Sequence, residues 1–333
     1  MPAEPLNKPS DIAAKVPCPD AANEPIFDAR THTAKVMPFD SERDFPQRHT
    51  ERLKAYYVRI YACAVVPLTL FAWLLHAYYF GWSFAWGGVA LAGAGMAGTL
   101  FAVCVLASYA PSLVRLKPSM PFALAVSAAG VALSVAGIVR DESQAWLALA
   151  LALINCAGML LFVFWYAPLR RKISTRLQIG DTMPDMLLRD LRGNVVDTRH
   201  FYGRPTVWVF DRGIASPFCA AYVQLVACYY RRMRKSGAHV VVVSGDSIAQ
   251  MRRLRRHITA TIDFLVDPDL AAARALDILH PYGAAGKRDA FYPTLVISDE
   301  FGRIRHVEQA ELRHTRPGPQ IAVDVLRGKH RPA

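Results

Sequence analysis

Four long apolar runs divide this chain into two unlike halves. They cover roughly residues 57–80, 84–109, 121–139 and 145–167. Each is about as long as the ~20 predominantly apolar residues that a helix needs to cross a bilayer. Tyr56, Tyr78, Trp82, Tyr109, Trp146 and Trp165 sit near their ends, where amphipathic rings favour the headgroup level. Arg59, near the start of the first run, is long enough to snorkel to that level. The pattern predicts an α-helical four-span membrane domain over residues 49–169.

Beyond a basic linker at 170–176 the pattern changes. Short apolar stretches at 186–188 and 195–196 flank the turn Arg192-Gly193-Asn194 and read as paired strands. Residues 206–210 read as a buried strand. A helix follows from Pro217, whose missing N–H is harmless in a first turn, to about Lys235, with Gly237 as its stop. The run HVVVVS at 239–244 has the continuous apolar character of a central strand. A helix at 247–258 starts from Ser247 as N-cap. A strand at 263–266, a helix at 269–278 and a hairpin of 294–297 with 303–307 complete the series. The order predicts a mixed α/β domain over 177–330. Residues 1–48 carry mixed charge and many prolines and are expected to be a disordered tail. They show no apolar core leading to a small-residue cleavage site.

The net charge of +12 is uneven, with roughly +11 of it after Leu169. A basic domain suits an anionic lipid surface. No nucleic-acid reading motif accompanies the charge, so no nucleic acid is expected. The clusters Arg231-Arg232-Met233-Arg234-Lys235 and Arg252-Arg253-Leu254-Arg255-Arg256 read as solvated helix faces or as lipid contacts. Lys and Arg also mark the short loops: Arg48, Arg52 and Lys54, then Arg115 and Lys117, then Arg170, Arg171 and Lys172. By the positive-inside rule these segments, both termini and the α/β domain are cytoplasmic, in an inner or plasma membrane. The second run is rich in glycine, as in Gly87–Leu91–Gly95, which suits close packing within the bundle or a homodimer. His76 either faces headgroups or serves as a ligand.

Six cysteines are present, at 18, 63, 104, 156, 219 and 228. None forms C-x-x-C, and the histidines lack ligand spacing, so neither a metal nor another cofactor is expected. Cys219 and Cys228 on one helix would face opposite ways, about 13 Å apart along the axis and beyond disulfide reach. The stretch FDRGIASPFC at 210–219 places Cys219 where a buried strand gives way to a helix, and a helix N-terminus favours the thiolate.

Several segments in order resemble the alkyl hydroperoxide reductase/thiol-specific antioxidant (peroxiredoxin-like) group of thioredoxin-fold proteins. They are IGDTMPDMLLRDLRGNVV at 179–196, TVWVFDRGIASPFC at 206–219, VVVVSGDS at 240–247, FLVDPD at 264–269 and YPTLVISDEFGRIRHV at 292–307. The resemblance implies an α/β thioredoxin-like fold. Against the two-cysteine redoxins, Ser216 stands where the attacking cysteine would be. Against the peroxiredoxin pattern Pro-x-x-x-Thr/Ser-x-x-Cys, Ser216 matches the hydroxyl residue and Cys219 the peroxide-attacking sulfur, while Arg212 replaces the proline. The family also uses an arginine from the strand region where this chain has Tyr292 and Pro293.

On this resemblance Cys219, Ser216 and Arg212 are the catalytic candidates. Pro293, Thr294, Phe210 and Pro217 shape the pocket, with the Tyr292–Pro293 bond expected to be cis. The implied chemistry is reduction of a hydroperoxide by one cysteine, with an external thiol reductant or redox partner. Two alternatives stay open: another thiol-dependent role such as sensing, and a degenerate redoxin module that binds a partner at the membrane.

Overall fold

A computed structural model of the chain describes residues 41–101, 120–169, 173–213, 217–284, 286–313 and 316–329. Residues 1–40 of the expected tail, the end of the second apolar run, Arg115, Lys117, Arg170–Lys172 and Ser216 lie outside the described residues.

Among the described residues, the apolar half contains four helices long and apolar enough to cross a membrane. Helix α1 (Ser41–Ile60) runs through a π-helical turn (Tyr61–Val65) into α2 (Val66–Phe80). The cause lies in Pro67, which has no N–H to donate one turn back and whose ring crowds that turn. A wider turn accommodates both. Helices α3 (Phe84–Phe101), α4 (Pro121–Val139) and α5 (Ala145–Leu161) follow, and a second π turn (Phe162–Tyr166) ends just before Pro168.

The glycines of α3 work inside the chain. A Cβ on Gly88 would run into the Gly130 carbonyl and Ser134, and one on Gly95 would meet Ser127 and the Ala123 carbonyl. Ser127 Oγ donates to Ala92 O at 3.0 Å and Ser134 Oγ to Ala85 O at 2.8 Å. The expected small-residue packing is therefore intramolecular, between α3 and α4. His76 is buried and stacks on Trp86, ring centres 4.6 Å apart.

The C-terminal half is built on a seven-stranded sheet of order β2-β1-β5-β4-β3-β8-β9. Its strands are β1 (Leu187–Arg189), β2 (Val195–Asp197), β3 (Thr206–Asp211), β4 (His239–Ser244), β5 (Asp263–Val266), β8 (Thr294–Ser298) and β9 (Ile304–Gln309). The central strands β3, β4 and β5 pair in parallel, and β8 pairs antiparallel to β3. Both faces are covered, which explains the unbroken apolar runs.

Val207, Val209, Val240 and Val242 pack with α6 (Pro217–Arg234), α7 (Ile248–Arg256) and α9 (Pro319–Leu326). Trp208, Phe210, Val241 and Val243 pack on the other face with Leu276, Ile278 and Phe291. The short α8 (Ala271–Ala275) follows β5 in the chain and packs Ala272 and Ala273 on this second face. Ser247 caps α7 through a reciprocal pair with Gln250. This is the thioredoxin-like fold that the segment order implied.

The helix α9 was not foreseen, nor was a hairpin that joins the two halves. That separate hairpin, β6 (Leu279–Ala284) with β7 (Arg288–Phe291), reaches the helical half. Arg52 of α1 donates to Tyr282 Oη at 2.7 Å. Gly286, at φ +72°, leaves no room for a Cβ beside Ala55. Backbone bonds add to the junction: Leu169 N to Glu311 O and Arg313 N to Ala167 O, both 2.9 Å.

Candidate functional site

The site forms where β3 ends. Asp211, the last residue of the strand, accepts from the Arg212 N–H at 2.8 Å. Gly213 turns the chain at φ +104° against the Asp246 carboxylate, where any Cβ would collide. Helix α6 starts at Pro217, so Cys219 sits in its first turn, among N–H groups that have no partner within the helix. Its thiol is 1% exposed. Cys228, on the same helix, is exposed, so the two sulfurs face opposite ways.

Arg316 approaches the sulfur from the segment after β9. Its Nη2 lies 3.2 Å from Cys219 Sγ, its Nη1 donates to Arg313 O at 2.9 Å, and its Nε is 3.7 Å from Asp211 Oδ1. Arg212 is buried alongside, and its Nε and Nη2 have no hydrogen-bond partner among the described residues. Arg313 is paired with Glu51 of α1, and its Nε donates to Tyr166 O at 2.8 Å. His280 of β6 is fully buried, stacks on Tyr292 at 4.3 Å and brings Nε2 within 3.2 Å of Glu51 Oε2. Lys54, also buried, stands 3.7 Å from Glu51 Oε1 and donates to Pro168 O at 2.9 Å. Of the charged groups acting on the sulfur two are guanidiniums, Arg316 and Arg212, and one is a carboxylate, Asp211, a positive surplus that favours a negative charge there.

Burial acts against that field. Burial and the adjacent Asp211 carboxylate push the Cys219 thiol up to about 11, while Arg316 and Arg212 pull it down. Burial and the neighbouring Arg316 and Arg313 bring Arg212 down to about 10, so it stays charged at neutral pH. Burial pushes His280 down to about 3 against the pull of Glu51, and the ring is neutral. Arg316 is held above its ordinary value by Cys219 and Asp211 despite burial.

Of the residues expected from the sequence, Cys219 and Arg212 come together. Ser216 lies outside the described residues. Pro217 opens α6 as anticipated. Phe210 is fully buried in the core and packs its ring 5.5 Å from that of Phe291. Thr294 pairs with Phe210 across the sheet and donates its hydroxyl to Tyr292 O at 3.0 Å.

Pro293 corrects an expectation. Among the described residues no peptide bond is cis, so Tyr292–Pro293 is trans. The trans form is favoured even for X–Pro bonds, and it lets Pro293 O accept from Ala310 N at 2.9 Å beside the β8–β9 ladder. The expectation also missed Asp211, His280, Glu51, Arg313 and Arg316. The arginine at the sulfur comes from beyond β9 and not from the strand at 292–293. Its only signal was a pair of arginines in the Pro- and Gly-rich stretch RHTRPGP.

Residues 179–307 match the AhpC/TSA family. Chloroplastic peroxiredoxin Q of Sedum lineare is 35% identical over 82 residues, 24% of this chain and 44% of that protein. Chloroplastic peroxiredoxin Q of Triticum aestivum is 28% identical over 106 residues, 30% and 49% of the two chains. This chain therefore spans less than half the length of these curated relatives. Among solved structures, peroxidoxin BcpB from Mycobacterium tuberculosis superposes with a TM-score of 0.41 at 18% identity, over 46% of this chain and 99% of that one. AhpC from Enterococcus faecalis gives 0.40 at 18% identity, over 45% and 92%.

Proposed function

Starting from an AhpC/TSA-family domain at residues 179–307, we propose that this chain is a membrane-anchored thiol peroxidase whose single reacting sulfur is Cys219. The observation that carries the reading is Arg316 Nη2 at 3.2 Å from a cysteine in the first turn of α6. A guanidinium and a helix N-terminus both stabilise a thiolate.

In the reaction the sulfur attacks the outer oxygen of a hydroperoxide, an S–O bond forms and the O–O bond breaks. The cysteine becomes a sulfenic acid, and the thiol proton ends on the departing alkoxide to give an alcohol. Asp211, next to the sulfur, is the group to carry that proton. Arg316 and Arg212 stabilise the charge that develops on the leaving oxygen. Since Cys228 faces away, reduction falls to an external thiol. One thiol condenses with the sulfenic acid and releases water, and a second restores the cysteine and leaves as a disulfide. Four spans with both termini cytoplasmic, and contact of the basic faces with anionic lipid, complete the reading.

Burial favours a second reading. A thiol 1% exposed and pushed up to about 11 is the resting state of a sensor or partner-binding module as readily as that of an enzyme. The purified full chain separates the two. Hydroperoxide consumption with an external dithiol, and labelling of a sulfenic acid at residue 219 with a dimedone-type probe, are expected of the wild type and lost in Cys219→Ser. A wild-type protein that neither consumes hydroperoxide nor takes the label would overturn the peroxidase.

A further inference from the structure

We propose that Glu51, on the helix that leads into the first apolar span, is a positioning residue for the Cys219 site, so that this site is complete only with the helical half docked. The inference rests on the reading of Cys219 as the reacting sulfur.

The path is short and continuous. Glu51 is paired with Arg313. The carbonyl of Arg313 accepts from Arg316 Nη1 at 2.9 Å, and Arg316 Nη2 lies 3.2 Å from Cys219 Sγ. The second donor of Arg313, Nε, is held by Tyr166 O at 2.8 Å, again from the helical half. The segment that carries Arg316 is therefore fastened at both forks of Arg313, and both fasteners come from residues outside the 179–307 domain. A guanidinium fixed by two acceptors loses little freedom when it orders its neighbours. Released, Arg313 leaves the Arg316 backbone contact without its anchor.

Glu51 is itself placed with care. It is buried between α1, the β6–β7 hairpin and the segment after β9, with His280 Nε2 at 3.2 Å and Lys54 Nζ at 3.7 Å. A buried carboxylate persists only with such partners. Among the described residues the charged and titratable groups facing the network are Glu51 and Lys54 from α1, Asp211 and Arg212 from the end of β3, Cys219 and Tyr222 from α6, His280 from β6 with Tyr292 stacked on it, Tyr166 from the second π turn, and Arg313 and Arg316.

The sign of the effect identifies the role. Acting only as a charge through space, Glu51 opposes a thiolate, and its neutralisation would ease ionisation of Cys219. Acting as a positioning residue it keeps Arg316 on the sulfur, and its neutralisation hinders ionisation. The test uses the full chain in detergent or nanodiscs. The rate of Cys219 alkylation, read peptide by peptide by mass spectrometry, is followed against pH alongside hydroperoxide consumption.

Glu51→Gln is expected to move the midpoint of the alkylation profile up by about one unit, which lowers the reaction rate at pH 7 about tenfold. Glu51→Asp should recover most of the loss. Arg313→Ala should reproduce it, and the double variant Glu51→Gln/Arg313→Ala should add nothing further, as expected of residues acting through one contact. Arg52→Leu, which cuts the α1 contact to Tyr282 but not this path, should leave the profile in place. Should Glu51→Gln fail to accumulate, Arg313→Ala decides the matter.

A Glu51→Gln midpoint that is unchanged or lower, or a double variant whose loss is the product of the two, overturns the inference. A wild type inert to hydroperoxide but with the predicted alkylation shifts would sink the peroxidase and keep Glu51 as the positioning residue.

Discussion

Replacing Arg316 by Met keeps most of the volume beside Cys219 and removes the cation. Nη2 lies 3.2 Å from the sulfur and Nε 3.7 Å from Asp211 Oδ1, so one change strips both groups of their guanidinium. At that separation two unit charges interact by roughly 5 kcal/mol at an effective dielectric of 20, an upper bound. A hydrogen bond to a charged group is worth about 1.5–3 kcal/mol net. The smaller figure is the better guide, because Arg212 remains nearby and the unpaired Asp211 adds to the penalty only if it stays ionised. In rate this corresponds to roughly 10- to 100-fold at fixed pH.

The thiol, already up at about 11, rises further, since Arg316 is the first of the two groups that pull it down. Stopped-flow consumption of hydroperoxide by the full chain, measured from pH 6 to 10, gives both numbers. Arg316→Met is expected to show a loss within that range together with an upward displacement of the alkaline limb. A variant within twofold of wild type, with an unshifted profile, would refute the role of Arg316 and with it the geometric basis of the proposed chemistry.

Three further outcomes follow from the same geometry. His280, neutral and held at about 3 by burial, binds its proton only in the unfolded chain between about pH 6.5 and 3. Stability should therefore be complete above about pH 6.5 and fall by up to about 5 kcal/mol as pH drops through that window, and thermal melts of His280→Gln against wild type should show the variant less sensitive to acid. Cys228→Ser should leave hydroperoxide consumption and Cys219 alkylation unchanged, because its side chain is exposed on the far face of α6; a lost turnover would reassign the reductive step. Gly88→Leu should break the backbone contact of α3 with Gly130 and Ser134 and lower stability in detergent by about 1–3 kcal/mol or more, while Gly98→Ala, with open space around it, should not.

Regular patterning is what the sequence displays best, and the parts it displayed were those that depend on it. The runs 206–210 and 239–244 are apolar because strands β3 and β4 are covered on both faces, and their ends fell within a residue of expectation. Ser247 as N-cap and Pro217 as helix opener are local chemistry, decided within one turn. The hairpin β6–β7 escaped because LHPYGAAGKRDAF carries turn residues throughout, and Tyr282 itself stands at φ +51°. Its partner is α1, more than two hundred residues away, and no period records such a contact. The arginine at the sulfur escaped for the same reason. Family likeness pointed to the strand at 292–293, but the guanidinium arrives from residue 316, carried by a segment whose course is fixed by Arg313 and the helical half.

That arrangement runs against what stability alone favours. Arg212, Arg313, Arg316, Lys54, Glu51 and Asp211 are all buried, and each ion withdrawn from water loses several kcal/mol of hydration that pairing recovers only in part. Apolar side chains of similar size would make the junction at least as stable. Two nitrogens of Arg212 stay without partners among the described residues, which adds to the deficit. A cluster with surplus positive charge closed around one sulfur is coherent if a negative charge forms there during turnover. The sulfur in its ionised form and the alkoxide it displaces are two such charges, and each would meet guanidiniums already in place, with no solvent to reorganise. The resting thiol and the reactive site are then one structure, and its cationic surplus is satisfied only while the reaction is under way.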